Sequence, residues 1–129
     1  MYIDLDIVYA MLKPDDRHNH FAKVITASKE KKYSSIALLI ELEIILKRDF
    51  GENESLNSKI LLDKTIPGLK ILEINSDIFE KSLSIRAEYG LGIFDSLHAA
   101  SCLANDGRIA STDHAYDKIT GITRVKPSA

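Results

Sequence analysis

Four acidic residues stand where solvation alone does not explain a carboxylate: Asp4, Glu41, Asp95 and Asp113. Asp4 interrupts an apolar opening, with Met1-Tyr2-Ile3 before it and Leu5-Asp6-Ile7 around and after it. A carboxylate in such a segment is costly unless something pairs with it or coordinates it. Glu41 falls in the middle of IALLIELEIIL, and its helical neighbours three and four residues away are Ala37, Leu38, Ile44 and Ile45. None is a cation, so no local salt bridge satisfies it. Glu43 makes the contrast: it lies about 200° further round the helix, with Lys47 four residues on, and reads as a solvated surface residue. Asp95 opens an apolar helix, and Asp113 follows a short apolar strand.

Asp4, Asp95 and Asp113 each also read as helix N-caps, so no single acid decides the matter. The set is more informative. Carboxylates gathered without basic partners repel one another and need a cation to remain ionised together. Oxygen-only donors select a hard ion, Mg²⁺ or Mn²⁺. Such an ion activates water and stabilises both the attacking and leaving oxygens of a phosphodiester displacement. It also inverts the local field, so that an acidic site can hold a polyanion. His98 and His114 lie near these acids in sequence; either is a general-base candidate, against the simpler reading of a structural or solvent-exposed histidine. Asp6 is either a fifth acid at the site or a helix cap, and Asp117, beside Lys118, suits a surface role. No glycine-rich phosphate loop, Gly-x-Ser-x-Gly elbow, zinc-type Cys/His spacing or H-E-x-x-H is present. Asp4-Leu5-Asp6 fits the D-x-D of some phosphotransfer enzymes, but that reading leaves Glu41 unexplained.

The elements that position these acids alternate between strand and helix. Met1–Leu5 reads as a short strand, followed by a short helix that Pro14 stops. Asp16–Lys32 has helical periodicity, Tyr33-Ser34-Ser35 breaks it and offers a serine N-cap, and Ile36–Phe50 is an apolar helix, buried or at an interface. Asn53 or Ser55 caps a helix through Lys64, Leu69–Ile74 alternates as a strand, and Asn75 or Ser76 caps a helix through Tyr89. The helix opened by Asp95 runs to Asn105-Asp106-Gly107, then Arg108–Thr112 is a strand. A short helix near Tyr116–Ile119, a last strand at Ile122–Val125 and a frayed Pro127–Ala129 tail complete the chain. This alternation predicts an α/β fold, a three-layer α/β/α sandwich on a mostly parallel sheet, as one domain spanning 1–129. In such sheets ligands bind beyond the carboxyl ends of the strands, where Asp4 and Asp113 fall.

The totals bound the partners. In 129 residues, 45% hydrophobic and 28% charged, the balance is that of a soluble domain, and the net charge of −2 gives no global basic field for nucleic acid. The lone Cys102 reads as a small buried hydrophobe in a reducing cytoplasm. Met1 leads straight into a strand, and no apolar run reaches about 18 residues, so neither a leader nor a membrane span is expected.

The order of Asp4 in YIDLD, Glu41 in SSIALLIELEIILKR, Asp95 in GLGIFDSLHAAS and Asp113 in IASTDHAYDKI resembles the PIN-domain ribonucleases, nearest to the VapC-like toxins of prokaryotic toxin–antitoxin pairs. The resemblance covers essentially the whole chain. It implies a Mg²⁺- or Mn²⁺-dependent endoribonuclease with Asp4, Glu41, Asp95 and Asp113 as its acidic quartet. Of these, Asp4, Asp95 and Asp113 would bind the metal directly, with Thr112 as a substrate-contacting hydroxyl. It also implies an RNA substrate, a small antitoxin partner and a homodimer; the alternative is an inactive PIN-like module that binds RNA or protein. Leu5-Asp6 departs from the Ser/Thr-then-Asn that usually follows the first acid.

Overall fold

Tyr2 and Ile3 are the whole of the first strand, β1 (Tyr2–Ile3), and both are fully buried. The strand stops there because the Asp4 carboxylate accepts from the Leu5 amide at 2.8 Å and caps α1 (Leu5–Leu12). The expected Met1–Leu5 strand is shorter for that reason. The computed structural model describes residues 1–127, so the expected tail lies largely outside the described residues.

After α1 come α2 (Asn19–Ala27), β2 (Tyr33–Ser35), α3 (Ile36–Phe50), α4 (Glu52–Leu56), α5 (Ser58–Thr65), β3 (Lys70–Leu72) and α6 (Ser76–Tyr89). Then follow α7 (Ile93–Leu103), β4 (Arg108–Ala110), a 3-10 helix (His114–Lys118) and β5 (Thr123–Val125). The sheet order is β3-β2-β1-β4-β5, and every pairing is parallel. The chain's first strand is thus its central one, with Tyr2 opposite Tyr33 on one side and Ile109 on the other.

Alternation along these short strands divides the interior into two cores. Ile3 and Ala110 face one, with Ile7, Val8, Leu38, Leu42, Leu46 and Leu62 from α1, α3 and α5. Tyr2 and Ile109 face the other, with Ile85, Ala99, Ala100, Cys102, Tyr116 and Ile119. The result is the α/β three-layer sandwich on a parallel sheet, with helices on both faces. Cys102 is fully buried, as its apolar setting predicted.

Several boundaries differ from the sequence reading. Tyr33–Ser35 is a strand rather than a break, because it gains a neighbour on each side, Met1–Tyr2 and Lys70–Leu72. Helix α2 is shorter than Asp16–Lys32, since Ser28 ends it and leaves the lysine-rich 29–32 segment outside. The segment after Gly51 is two helices meeting at Asn57. Helix α7 begins at Ile93 behind Gly92, placing Asp95 in its first turn rather than at its cap. At Gly107 the backbone is left-handed (φ 72°), and a Cβ there would lie 2.6 Å from the Gly121 carbonyl oxygen, so only glycine lets α7 turn into β4 beside β5. Among the described residues no helix is long and apolar enough to cross a membrane.

Candidate active site

The carboxyl ends of β1 and β4 lie side by side, and the acids of both converge there. The Asp4 amide donates to the Ala110 carbonyl at 3.2 Å, extending the β1–β4 pairing by one bond. Its carboxylate is 6% exposed, and beyond the Leu5 amide it accepts the Ser111 hydroxyl at 2.7 Å. Ser111 in turn accepts from the Asp113 amide at 3.0 Å, so one hydroxyl fixes both strand-end acids. Burial pushes Asp4 up from 3.8 to about 7; His98 opposes the rise and the neighbouring Asp6 adds to it.

Asp6, in the first turn of α1, accepts the Thr112 amide at 2.7 Å and also the Thr112 hydroxyl. Its other oxygen, Oδ1, is buried with no hydrogen-bond partner. Burial raises this carboxyl as well, against the pull of the Thr112 bonds. Thr112 is therefore at the site, with its hydroxyl on Asp6.

Helix α3 carries Glu41 in its second turn, capped at its start by the Ser35 hydroxyl. Helix α7 carries Asp95, and one turn later His98, on the same face. Glu41, half-buried, accepts from His98 Nε2 at 2.9 Å, which answers the absence of any cation on its own helix. His98 is fully buried, and its Nδ1 lies 2.6 Å from the Tyr2 hydroxyl. Burial alone would lower its pKa, but the bond to Glu41 and the charges of Asp4, Glu41 and Asp95 hold it above the usual histidine value. Asp95 is raised by burial and by Asp113, partly relieved by His98, with the Tyr116 hydroxyl 3.4 Å away. Asp113 is exposed and caps the 3-10 helix through the Ala115 amide at 2.8 Å.

All four predicted acids, with Asp6, line one open cleft of about 360 Å³. Leu5, Tyr9, Ile45 and Arg48 complete its lining. Asp117 and His114 belong elsewhere: Arg124 donates to both oxygens of Asp117 at 2.8 and 2.9 Å, holding that carboxyl down to about 2, and also bonds His114 at 3.0 Å. Arg124 further donates to the Ser111 carbonyl at 3.1 Å, so β5 secures the loop that carries Thr112 and Asp113.

The donor chemistry fits a hard divalent cation. One ligand atom each from Asp4, Glu41 and His98 lie within 4.8 Å of one another. The unpartnered Asp6 oxygen and the raised Asp4 and Asp95 mark a cluster short of positive charge. The sequence signal for His98 is only its i, i+3 spacing from Asp95, because its partners Tyr2 and Glu41 are remote in sequence.

The chain is similar in fold to several solved structures. A chain of VapC20 from Mycobacterium tuberculosis, described as a sarcin-ricin-loop-cleaving toxin, matches with TM-score 0.79 and 18% identity, covering 98% of each chain. A chain of VapBC2 from Rickettsia felis, bound to promoter DNA, matches with TM-score 0.72 and 16% identity over 97% of this chain and 96% of the other. A chain of DNA-bound VapBC from Salmonella typhimurium matches with TM-score 0.70 and 15% identity, at 97% and 96% coverage. No curated protein sequence matches the chain. The PIN domain family model matches residues 1–122, nearly the full described length, and the protein belongs to the PIN domain family.

Proposed function

We propose that this protein is a Mg²⁺- or Mn²⁺-dependent endoribonuclease of the cytoplasm and the toxin of a toxin–antitoxin pair. The observation that carries the reading is the convergence of Asp4, Asp6, Glu41, Asp95 and Asp113 on one cleft, with Asp4 buried and raised to about 7. Binding a partner does not require such an arrangement; it disfavours the fold until a cation offsets it. When bound, the ion supplies Lewis-acid stabilisation of the phosphodiester and a lower pKa for water.

Asp4, Asp95 and Asp113 would hold the ion, and the Ser111 and Leu5 bonds pre-set the Asp4 carboxylate for that role. Glu41 keeps one oxygen on His98 and leaves the other to orient the attacking water and take its proton. Thr112 contacts substrate at the rim of the site while its hydroxyl donates to Asp6. Water attacks directly, without a covalent enzyme intermediate. Support for an antitoxin comes from the complexes among the similar folds, including a toxin–antitoxin complex from Klebsiella pneumoniae. Support for a homodimer comes from Ile36, Ile40 and Ile44, spaced four apart on α3 and 42%, 47% and 53% exposed.

The test is cleavage of a structured RNA by antitoxin-free protein with Mg²⁺ or Mn²⁺ against EDTA, beside Asp95→Asn. Metal-dependent cleavage lost in the variant is expected. Equal cleavage by Asp95→Asn would place the chemistry elsewhere, and no cleavage by a folded protein with either ion would favour a binding-only module.

A further inference from the structure

The side chain that fixes Glu41 is tied into a circuit of hydrogen bonds that returns to the same helix. Ser35, at the start of α3, accepts from the Ala37 amide at 3.3 Å and meets the Tyr2 hydroxyl at 2.8 Å. Tyr2, on the central strand, meets His98 Nδ1 at 2.6 Å, and His98 Nε2 meets Glu41 at 2.9 Å. Ser35 and Glu41 are about 9 Å apart along the helix axis. The circuit therefore fixes both the start of α3 and the acid one and a half turns into it.

From this geometry we infer that His98 is a positioning residue that holds Glu41 through an Nε2–H bond, and that it does not ligate the metal. This rests on the nuclease reading above for its catalytic consequence, but not for its structural content. The proton assignment follows from the contacts. An ionised Glu41 accepts only, so the nitrogen 2.9 Å from it must donate. If the imidazole is neutral, Nδ1 is the acceptor; the Tyr2 hydroxyl donates to it and Ser35 donates to Tyr2. If it is cationic, Nδ1–H donates to Tyr2, and Tyr2 donates to Ser35. Both arrangements leave a proton on Nε2, so the inference does not depend on the charge of the ring. The proximity of Asp4, Glu41 and His98 atoms, within 4.8 Å, would otherwise suggest a metal trio. With Nε2 protonated, only the oxygens of that trio are free to bind an ion, which suits a hard cation. A hydrogen-bonded group that orients a site carboxylate in this way typically contributes about 10–100-fold to affinity or activity.

The first test reads the ring itself. Of four histidines, His98 alone is buried, so ¹H–¹⁵N spectra of the wild-type protein in EDTA should show its Nε2–H in slow exchange. Glu41→Gln should move that resonance, and Mg²⁺ should not remove it. Pulsed EPR of the Mn²⁺-loaded protein should show no directly bound nitrogen. Loss of the proton with Mg²⁺, or a bound nitrogen on Mn²⁺, overturns the inference. The second test is kinetic: His98→Ala should lower kcat by about 10–100-fold with KM for RNA unchanged, and His98→Gln, which keeps a donor near the same place, should restore most of it. A folded His98→Ala as active as wild type also overturns the inference. A wild-type protein that neither binds Mn²⁺ nor cleaves RNA would instead remove the nuclease reading, while the ring spectra would still decide the role of His98.

Discussion

Replacing Asp4 with Asn should stabilise the metal-free protein while abolishing its response to metal. The Asp4 carboxyl is raised from 3.8 to about 7, chiefly by burial. Each tenfold change in proton affinity is worth about 1.4 kcal/mol, so ionising Asp4 in the fold costs about 4 kcal/mol more than in the unfolded chain. Because the folded state holds this proton more tightly, the stability linked to it is complete below pH 3.8 and is lost as pH rises toward about 7. Between pH 5 and pH 8 that loss is about 2–3 kcal/mol. Urea denaturation in EDTA at the two pH values should show at least this fall in the wild type, and Asp4→Asn should remove the Asp4 share and leave only that of Asp6 and Asp95. At pH 8 the variant should be the more stable protein, since Asn keeps the shape and an acceptor for the Leu5 amide, while its NH2 donates to the Ser111 oxygen and the Ser111 proton turns to Asp6 Oδ2, 3.4 Å away. Adding Mg²⁺ at about a hundredfold excess over its Kd should return about 2.7 kcal/mol to the wild type and nothing to the variant. The same fall from pH 5 to pH 8 in Asp4→Asn as in the wild type, or a markedly less stable variant at pH 8 without metal, would show that burial of this carboxylate does not cost the fold stability.

Other perturbations separate the site from its supports. Arg124→Ala should cost about 1–3 kcal/mol in urea denaturation by leaving the Ser111 carbonyl without its donor, and should weaken Mn²⁺ binding because the Thr112–Asp113 loop loses its anchor. Gly107→Ala should cost about 1–2 kcal/mol from the left-handed backbone alone, with a further penalty from the approach of the Gly121 carbonyl, read as a lower thermal midpoint. Leu42→Ala, at a fully buried core position next to Glu41 in the α3 sequence, should cost about 2–5 kcal/mol in the same assay while leaving the Mn²⁺ affinity of the folded fraction intact.

The parts of this molecule that the sequence displays are those whose explanation is local. Glu41 betrays itself because its own helix offers it no cation, and the structure supplies one partner from another element, His98. Helices α3 and α6 read correctly because their ends carry local signals: the Ser35 hydroxyl and Gly51 for one, the Asn75 side chain and Gly90 for the other. The strand Tyr33–Ser35 was illegible because three residues, two of them serine, have no strand character until β1 and β3 lie on either side. His98 was ambiguous for a similar reason: nothing near it in sequence announces Tyr2, 96 residues away. For Asp6 the sequence admits either a cap or a ligand, and the structure gives it a structural bond to Thr112 and an oxygen with no partner. Glu43 is exposed as expected, but Lys47 pairs with Glu52 at 3.2 Å instead, a choice made by the turn into α4.

The central place of the first strand has a consequence for the timing of synthesis. Asp4, Glu41 and Asp95 are all joined to the growing chain before β4 and β5 are, yet Asp4 is bonded to Ala110 and Ser111, and Ser111 is secured by Arg124. A nascent chain that ends within α7 therefore holds three of the four acids with no Asp113 and no strand to pin Asp4. The acidic cleft is complete only once translation has passed Arg124, so no shorter nascent chain carries the whole site.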